Sequence, residues 1–346
     1  MPIVHAISFD DATADSGGYH LYGFTDVSSY GNIPRLAGRY GGYAIGVQNV
    51  GTISRDVRLP CRSESLEWTF GFDFYYETAT ETDPRGFFDI LDPNSSRMYR
   101  FALAADGSLK FYRGNGATLQ GTTTTLLAAS SWYHVEVQLR MNDTTGLLKV
   151  KIDGVEEISQ TSIDTLEAGV VAIPSAFLWG SFGSGSAHRQ KRMDNLIIQD
   201  ELNWLGQIYA EPLTVTADTA DKDFLRSTGA DNYALIDETV VDETDYVQSG
   251  TVGDMDLYTL SNLSDNPASI PFVQTVMVPK MSEVGTRVLR SVLKSSSSLS
   301  YSDQRGVTEA SGGRINFHRF LTDPNGGGAW TQSAVNALTA GMEVYA

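Results

Sequence analysis

The chain has 346 residues, which is enough for two domains that each bury a core of their own. Its formal net charge of −17 argues against nucleic acid and anionic membrane surfaces as partners, because both attract clustered Lys and Arg. The single cysteine excludes an intrachain disulfide, and no apolar run approaches the roughly 20 residues that span a bilayer.

The first 198 residues alternate between apolar and polar side chains, which is the period of a β-strand with one buried face. In LEWTFGFDFYY the even positions from 66 to 76 are all apolar, whereas Asp73 lies on the other face. Asp73 and Glu77 are therefore predicted to face solvent. The same parity predicts one shared core, formed by Phe70, Phe72, Phe74, Val135, Val137, Val150 and Ile152.

Turn residues separate the next strands at regular intervals. Asp106-Gly107 is placed as a hairpin turn in RMYRFALAADGSLKFYR, and Asp153-Gly154 ends the second strand of SWYHVEVQLRMNDTTGLLKVKIDGVEE. KRMDNLIIQDE reads as a further strand. Many short strands with regular turns predict an all-β sandwich or barrel.

The composition changes near Trp204, so we expect two domains, residues 1–203 and 204–346. Strand candidates in the second domain are DMDLYTL, FVQTVMV, RVLRSVLKS and RINFHRFLTDP. TQSAVNALTAG is the one helix candidate, with Thr331 or Ser333 as N-cap and Gly341 as C-cap. The second domain is thus predicted to be β-rich with one short helix.

Trp132, Tyr133 and His134, followed by alternating apolar residues and a strand that ends in Ile152, Asp153 and Gly154, resemble laminin-G and concanavalin-like lectin domains. The resemblance covers roughly residues 1 to 200 and implies a jelly-roll sandwich. Such a fold hosts many functions, so it does not specify one.

The second half resembles the C-terminal region of tailed-bacteriophage virion proteins that carry a lectin-like domain in front. The marks are Tyr233, Asp237, Glu238, the run 245–247, Asp323-Pro324 and the run 329–331. This resemblance implies a tail, fibre or head-decoration protein that is assembled in the host cytoplasm and contacts other virion proteins. It also implies a homo-oligomer, a trimer if the protein is fibre-like. MPIVHAISFDD lacks the regions of a signal peptide, which agrees with release by lysis.

Candidate catalytic residues are missing from the sequence pattern. Glycoside hydrolases need two carboxylates on one face at a fixed separation, and no strand shows that spacing. No zinc, nucleotide or serine-hydrolase motif is present. We therefore expect a non-enzymatic protein. A carbohydrate-active enzyme is the least favoured alternative, and a pairing of Asp73 with Glu157 across strands would favour it.

Two sets of carboxylates are candidates for calcium, because oxygen-rich loops bind this ion. Asp10 and Asp11 follow the first strand, and Asp237 and Asp242 belong to the densest acidic cluster. Neither set has the ligand spacing of an EF-hand, and a solvated acidic loop is the alternative. No other cofactor is expected.

Three aromatic residues are candidates for stacking on a sugar ring, since aromatic faces bury CH groups. Trp179 and Phe182 lie in FLWGSFGSGS, and Tyr112 lies in FYRGNG. Core or interface packing is the alternative for each of them. If they bind a host surface glycan, the protein is an adhesin or receptor-binding protein, which overlaps with the structural role on a virion.

Overall fold

A computed structural model describes residues 3–7, 26–27, 35–40, 43–47, 56–61, 63–77, 85–114, 118–182, 191–237, 244–282, 286–308 and 316–346. The chain divides into two compact units, Met1–Ala210 and Glu211–Ala346. The described residues are nearly all in β-strands and the connections between them, and every strand pairing is antiparallel.

Unit 1 contains fifteen described strands. They are β1 (Ile3–Ile7), β2 (Asp26–Val27), β3 (Arg35–Ala37), β4 (Tyr43–Val47), β5 (Asp56–Pro60), β6 (Glu67–Tyr76), β7 (Arg85–Leu91), β8 (Arg97–Leu103), β9 (Leu109–Arg113), β10 (Thr118–Thr122), β11 (Trp132–Arg140), β12 (Gly146–Ile152), β13 (Val155–Ile163), β14 (Ala176–Phe182) and β15 (Lys191–Gln199). One sheet has eight strands in the order β13-β12-β11-β6-β15-β4-β3, with β1 also on β15. The other has seven, in the order β10-β9-β8-β7-β14-β5-β2.

The two sheets pack face to face through aromatic side chains, so the expected β-sandwich is confirmed. Phe70 of β6 contacts Phe88 and Phe101 of the other sheet edge to face, with ring centroids 5.4 and 5.7 Å apart. Phe72 stacks on Phe88. The predicted core set is confirmed in full, because the register pairs Val135 with Phe72 and all seven side chains are buried.

The predicted turns are confirmed as well. Gly107 has a φ of 88° between β8 and β9, and Asp153 and Gly154 have φ values of 47° and 82° between β12 and β13. Two consecutive positive φ angles define the hairpin turn that Asp-Gly favours.

The prediction that Asp73 faces solvent is wrong. Residues 68–74 of β6 are buried on both faces, and the side chain of Asp73 is fully buried on the outer face, the face of the eight-stranded sheet that points away from the other sheet. The strand alternates polar and apolar residues, as expected, but other parts of unit 1 cover its polar side. Glu77 is 43% exposed, in agreement with its prediction.

The cover includes residues 201–210, here called the strap, which follow β15 and run over the outer face. The hydroxyl of Thr69 donates to the carbonyl of Glu201, and the amide of Ala210 donates to Oδ1 of Asn195. The strap therefore belongs to unit 1, which ends at Ala210.

Unit 2 contains ten described strands. They are β16 (Val215–Lys222), β17 (Leu225–Arg226), β18 (Val247–Gln248), β19 (Met255–Leu260), β20 (Val273–Met277), β21 (Thr286–Ser295), β22 (Ser298–Tyr301), β23 (Arg305–Thr308), β24 (Asn316–Phe320) and β25 (Thr339–Val344). Six of them form a sheet in the order β16-β19-β25-β21-β22, with β23 also on β21. All four strand candidates of the second half appear as β19, β20, β21 and β24.

The predicted helix is present but short. Helix α1 spans Gln332–Asn336, and the hydroxyl of Thr331 caps it by accepting from the amide of Ala334. Its apolar face packs on Leu293 and Trp330 in the core of unit 2. The predicted C-cap at Gly341 is wrong, because Gly341 lies in β25, where a Cβ would come within 1.9 Å of the carbonyl oxygen of Asp256.

A 3-10 helix at Tyr233–Leu235 was not predicted. Across the described ranges, no helix has the length and apolar character needed to cross a membrane.

Candidate functional site on the outer face of unit 1

Asp73 lies at the centre of a polar cluster on the outer face. Its Oδ1 accepts from Nη1 of Arg39 at 2.7 Å and lies 3.0 Å from Nδ1 of His134. Its Oδ2 accepts from Nδ2 of Asn195 at 2.8 Å. A buried carboxylate is stable only when it is paired and hydrogen-bonded, and these three donors meet that requirement.

His134 is held in one orientation. Because a carboxylate oxygen accepts, the contact with Asp73 places the imidazole proton on Nδ1. The backbone amide of His134 donates to Oδ1 of Asp153 at 2.8 Å, so the Asp-Gly turn after β12 also fixes the position of this residue. Its Nε2 is buried and has no hydrogen-bond partner among the described residues.

Asn195 reaches the cluster through a break in β15. The pairing of β15 with β6 shifts between Asp194 and Ile197, and Asn195 has a φ of 49°, in the left-handed region that Asn tolerates. An irregularity of this kind re-aims a side chain. Here it directs the amide of Asn195 to Asp73.

A second carboxylate lies directly opposite Asp73, which sequence reasoning missed. The register pairs Asp73 with Asp194, and opposite residues share one face of a sheet. The expectation that the sandwich has no same-face carboxylate pair is therefore wrong. However, Asp194 is 3% exposed, and its two oxygens accept from the backbone amides of Arg39 and Asn195. Both carboxylates are thus buried and hydrogen-bonded within the chain.

The strap closes the outer face beside this cluster. Oε1 of Glu136 accepts from the amides of both Leu205 and Gly206 at 2.8 Å. Gly71 has no side chain where Leu205 packs, since a Cβ there would lie 3.0 Å from Cδ1 of Leu205 and 4.0 Å from Cε1 of His134. Glycine inside a strand commonly marks such a close approach. Gly71 is therefore the residue of β6 that leaves room for Leu205 of the strap.

An aromatic pair occupies the outer face beyond the polar cluster. Tyr75 and Trp132 are opposite one another in the register, and their ring centroids are 5.2 Å apart with the planes at 45°. Both side chains are partly exposed. The guanidinium of Arg192 lies 4.4 Å from the centroid of Tyr75, and its Nη2 is 3.6 Å from Oε1 of Glu77. Aromatic and polar groups thus meet at the ends of three strands.

The aromatic candidates from the sequence lie elsewhere. The prediction that Trp179 stacks on a sugar is wrong. Trp179 is 2% exposed and packs against Phe74 and Phe87 in the core, so it presents no face to a sugar. Tyr112 is partly exposed on the outer face of the seven-stranded sheet, opposite Arg100, and remains a candidate. The backbone of Phe182 pairs with Gly86, and its side chain lies outside the described part of the structure.

The calcium candidates are not brought together in the described residues. Asp10, Asp11 and Asp242 lie outside them, and Asp237 is exposed at the end of a described range. Within the ranges that the structure describes, no three Asp, Glu, His or Cys side chains are grouped as metal ligands.

Unit 2 contains a buried carboxylate with a structural role. Asp256 accepts from the amide of Phe224, from Nδ2 of Asn232 and from the hydroxyl of Tyr258. Burial, and then the hydrogen bond to Asp256, raise the pKa of Tyr258. The network fixes the connection between β16 and the 3-10 helix on the sheet.

Comparison with known proteins gives similarity of fold alone. The sequence matches no protein-family model and no curated protein. The cellulose induced protein Cip1 is 12% identical with a TM-score of 0.40, over 51% of this chain and 87% of that one. Domain 4 of AbnA, a GH43 extracellular arabinanase from Geobacillus stearothermophilus, in complex with arabinotriose, is 20% identical with a TM-score of 0.40, over 57% of this chain and 92% of that one. Alginate lyase Aly36B is 12% identical with a TM-score of 0.37, over 60% of this chain and 98% of that one. These similarities are too distant to carry a functional conclusion.

Proposed function

We propose that the chain is a non-enzymatic structural protein on the exterior of a tailed-phage particle, in the tail, a fibre or the head decoration. In this proposal the sandwich serves assembly or surface attachment, and the protein is assembled in the host cytoplasm. Its partners are other virion proteins and further copies of itself, three in a fibre. The motif order of residues 204–346 supports the virion assignment.

The burial of two facing carboxylates on the outer face carries the non-enzymatic part of the proposal. The carboxylates that face each other, Asp73 and Asp194, are 0% and 3% exposed, and each is held by donors of its own chain. A glycosidase needs one carboxyl group that exchanges protons with substrate and a second at fixed separation beside it. Buried and internally paired carboxylates at this position serve stability instead.

The virion assignment is tested on purified particles. Antibodies raised against the purified chain should label the exterior of tailed particles from the source culture in immunogold electron microscopy, at a position that cryo-EM then identifies. Presence of the chain in the lysate but not in purified particles would overturn the assignment.

A glycan-binding protein is the second candidate, favoured by the partly exposed pair Tyr75 and Trp132. Large rings at a surface present apolar area that a sugar ring covers well. A glycan array probed with the purified full chain tests this candidate, and the absence of binding to any saccharide on the array would remove it.

A further inference from the structure

We propose that Tyr75, Trp132, Arg192 and Glu77 form a binding site for a neutral pyranose unit of an external saccharide. This set is called the aromatic site below. The inference rests on the glycan-binding candidate above and gives it a location and a ligand class. It replaces Trp179, which is buried in the core, as the place where a sugar would stack.

The aromatic site lies on the outer face, at positions other than those to which the strap is hydrogen-bonded. The strap is hydrogen-bonded at Thr69, Glu136 and Asn195. Tyr75 lies two residues beyond Asp73, towards the end of β6, and Trp132 is the first residue of β11. The rings therefore sit at the strand ends, and the adjacent strands are anchored by the cluster around Asp73. Such anchoring holds a site ready for its ligand without an ordering cost.

The two rings differ from the other aromatic residues of the sheet in their surroundings. Trp68, Phe70 and Phe72 of β6 are 0% exposed and belong to the core between the sheets. Tyr75 and Trp132 point to the opposite face and remain partly exposed, with their planes inclined at 45°. The partly exposed rings offer apolar surface on which the axial CH groups of a pyranose can be buried.

The polar groups of the site indicate a neutral sugar. Nη1 of Arg192 donates to the carbonyl of Ala37, and its Nη2 lies 3.6 Å from Oε1 of Glu77, so the charges of Arg192 and Glu77 offset each other. Sugar hydroxyls both donate and accept, and they match such a pair. The net charge of −17 disfavours an anionic sugar such as a uronate or a sialate.

Titration calorimetry on the full chain tests the site. The probes are neutral oligosaccharides of glucose, galactose and mannose, with oligo-uronates as the anionic probe. We expect a neutral probe to bind the parent protein and Trp132→Ala to weaken binding about 10-fold or more, which corresponds to about 1.4 kcal/mol. Trp132→Phe should retain most of the affinity because it keeps an aromatic face. Tyr246→Ala, which removes an exposed aromatic side chain of unit 2, is the matched control and should bind like the parent.

Glu77→Gln keeps the test decisive if Trp132→Ala does not fold, since the side chain of Glu77 is 43% exposed and its replacement leaves both rings in place. We expect it to weaken neutral-sugar binding about threefold, through loss of a charged acceptor. If the parent binds a saccharide and Trp132→Ala or Glu77→Gln binds it equally well, the site is wrong while glycan binding stands. Preference for uronates overturns the ligand class, and no binding by the parent overturns both the site and the glycan-binding candidate.

Discussion

Replacement of Asp73 is the most direct test of the buried polar cluster. In Asp73→Ala, Arg39 loses its 2.7 Å contact, Asn195 loses an acceptor, and His134 loses the partner of Nδ1 while its Nε2 already has none among the described residues. Removal of one member of a buried ion pair typically costs about 3 to 5 kcal/mol, because the remaining groups stay buried and unsatisfied. Asp73→Asn keeps the shape but faces Asn195 with a donor, so we expect about 2 kcal/mol.

Urea unfolding followed by tryptophan fluorescence measures this loss. Four of the five tryptophans belong to unit 1, so the signal reports mainly on its unfolding. With an m-value of about 3 kcal/mol/M, the midpoint of Asp73→Ala should fall by about 1 to 1.7 M. Asp143→Ala, in an exposed turn, is the control and should stay within about 0.5 kcal/mol of the parent. A loss for Asp73→Ala no larger than that of the control would refute the reasoning that this cluster stabilises the sandwich.

Three further outcomes are expected. Phe72, which is 0% exposed and stacks on Phe88, should lose about 3 to 5 kcal/mol when replaced by Ala. Unchanged thermal stability would show that the strand register is wrong. Burial raises the pKa of Glu157, but the hydrogen bonds that Thr124 and Thr125 donate lower it by more. The pKa is therefore about 2, against an ordinary value of 4.5. The resulting stabilisation, about 1 to 2 kcal/mol after solvent screening, is complete above about pH 4.5 and lost as the pH falls through about 2. The difference in unfolding free energy between parent and Glu157→Gln should therefore shrink from about pH 5 to 2, and a pH-independent difference would contradict it. Finally, the protein should release no reducing ends from bacterial capsular or outer-membrane polysaccharide, and release that disappears in Asp73→Asn would establish an enzyme instead.

Local sequence patterns determined much of unit 1. The alternation in LEWTFGFDFYY placed Phe70, Phe72 and Phe74 in one core, and the structure confirms that assignment. Asp-Gly at 153–154 predicted a turn, because these residues reach the left-handed conformations that a tight hairpin needs. The N-cap at Thr331 was found in the same way. Each of these features depends on residues within a few positions of one another, so a single sequence contains the signal.

The tertiary structure alone decided what happens on the outer face. Parity separates the two faces of β6 but carries no information about which face another segment covers. The donors to Asp73 are 34, 61 and 122 positions away in the chain, in Arg39, His134 and Asn195. The strap reaches this face only because β15 lies beside β6 and the chain then turns back over the sheet. A carboxylate predicted to be solvated is therefore buried, because its environment is made by strand order and by packing between segments far apart in sequence, which a period-two pattern cannot express.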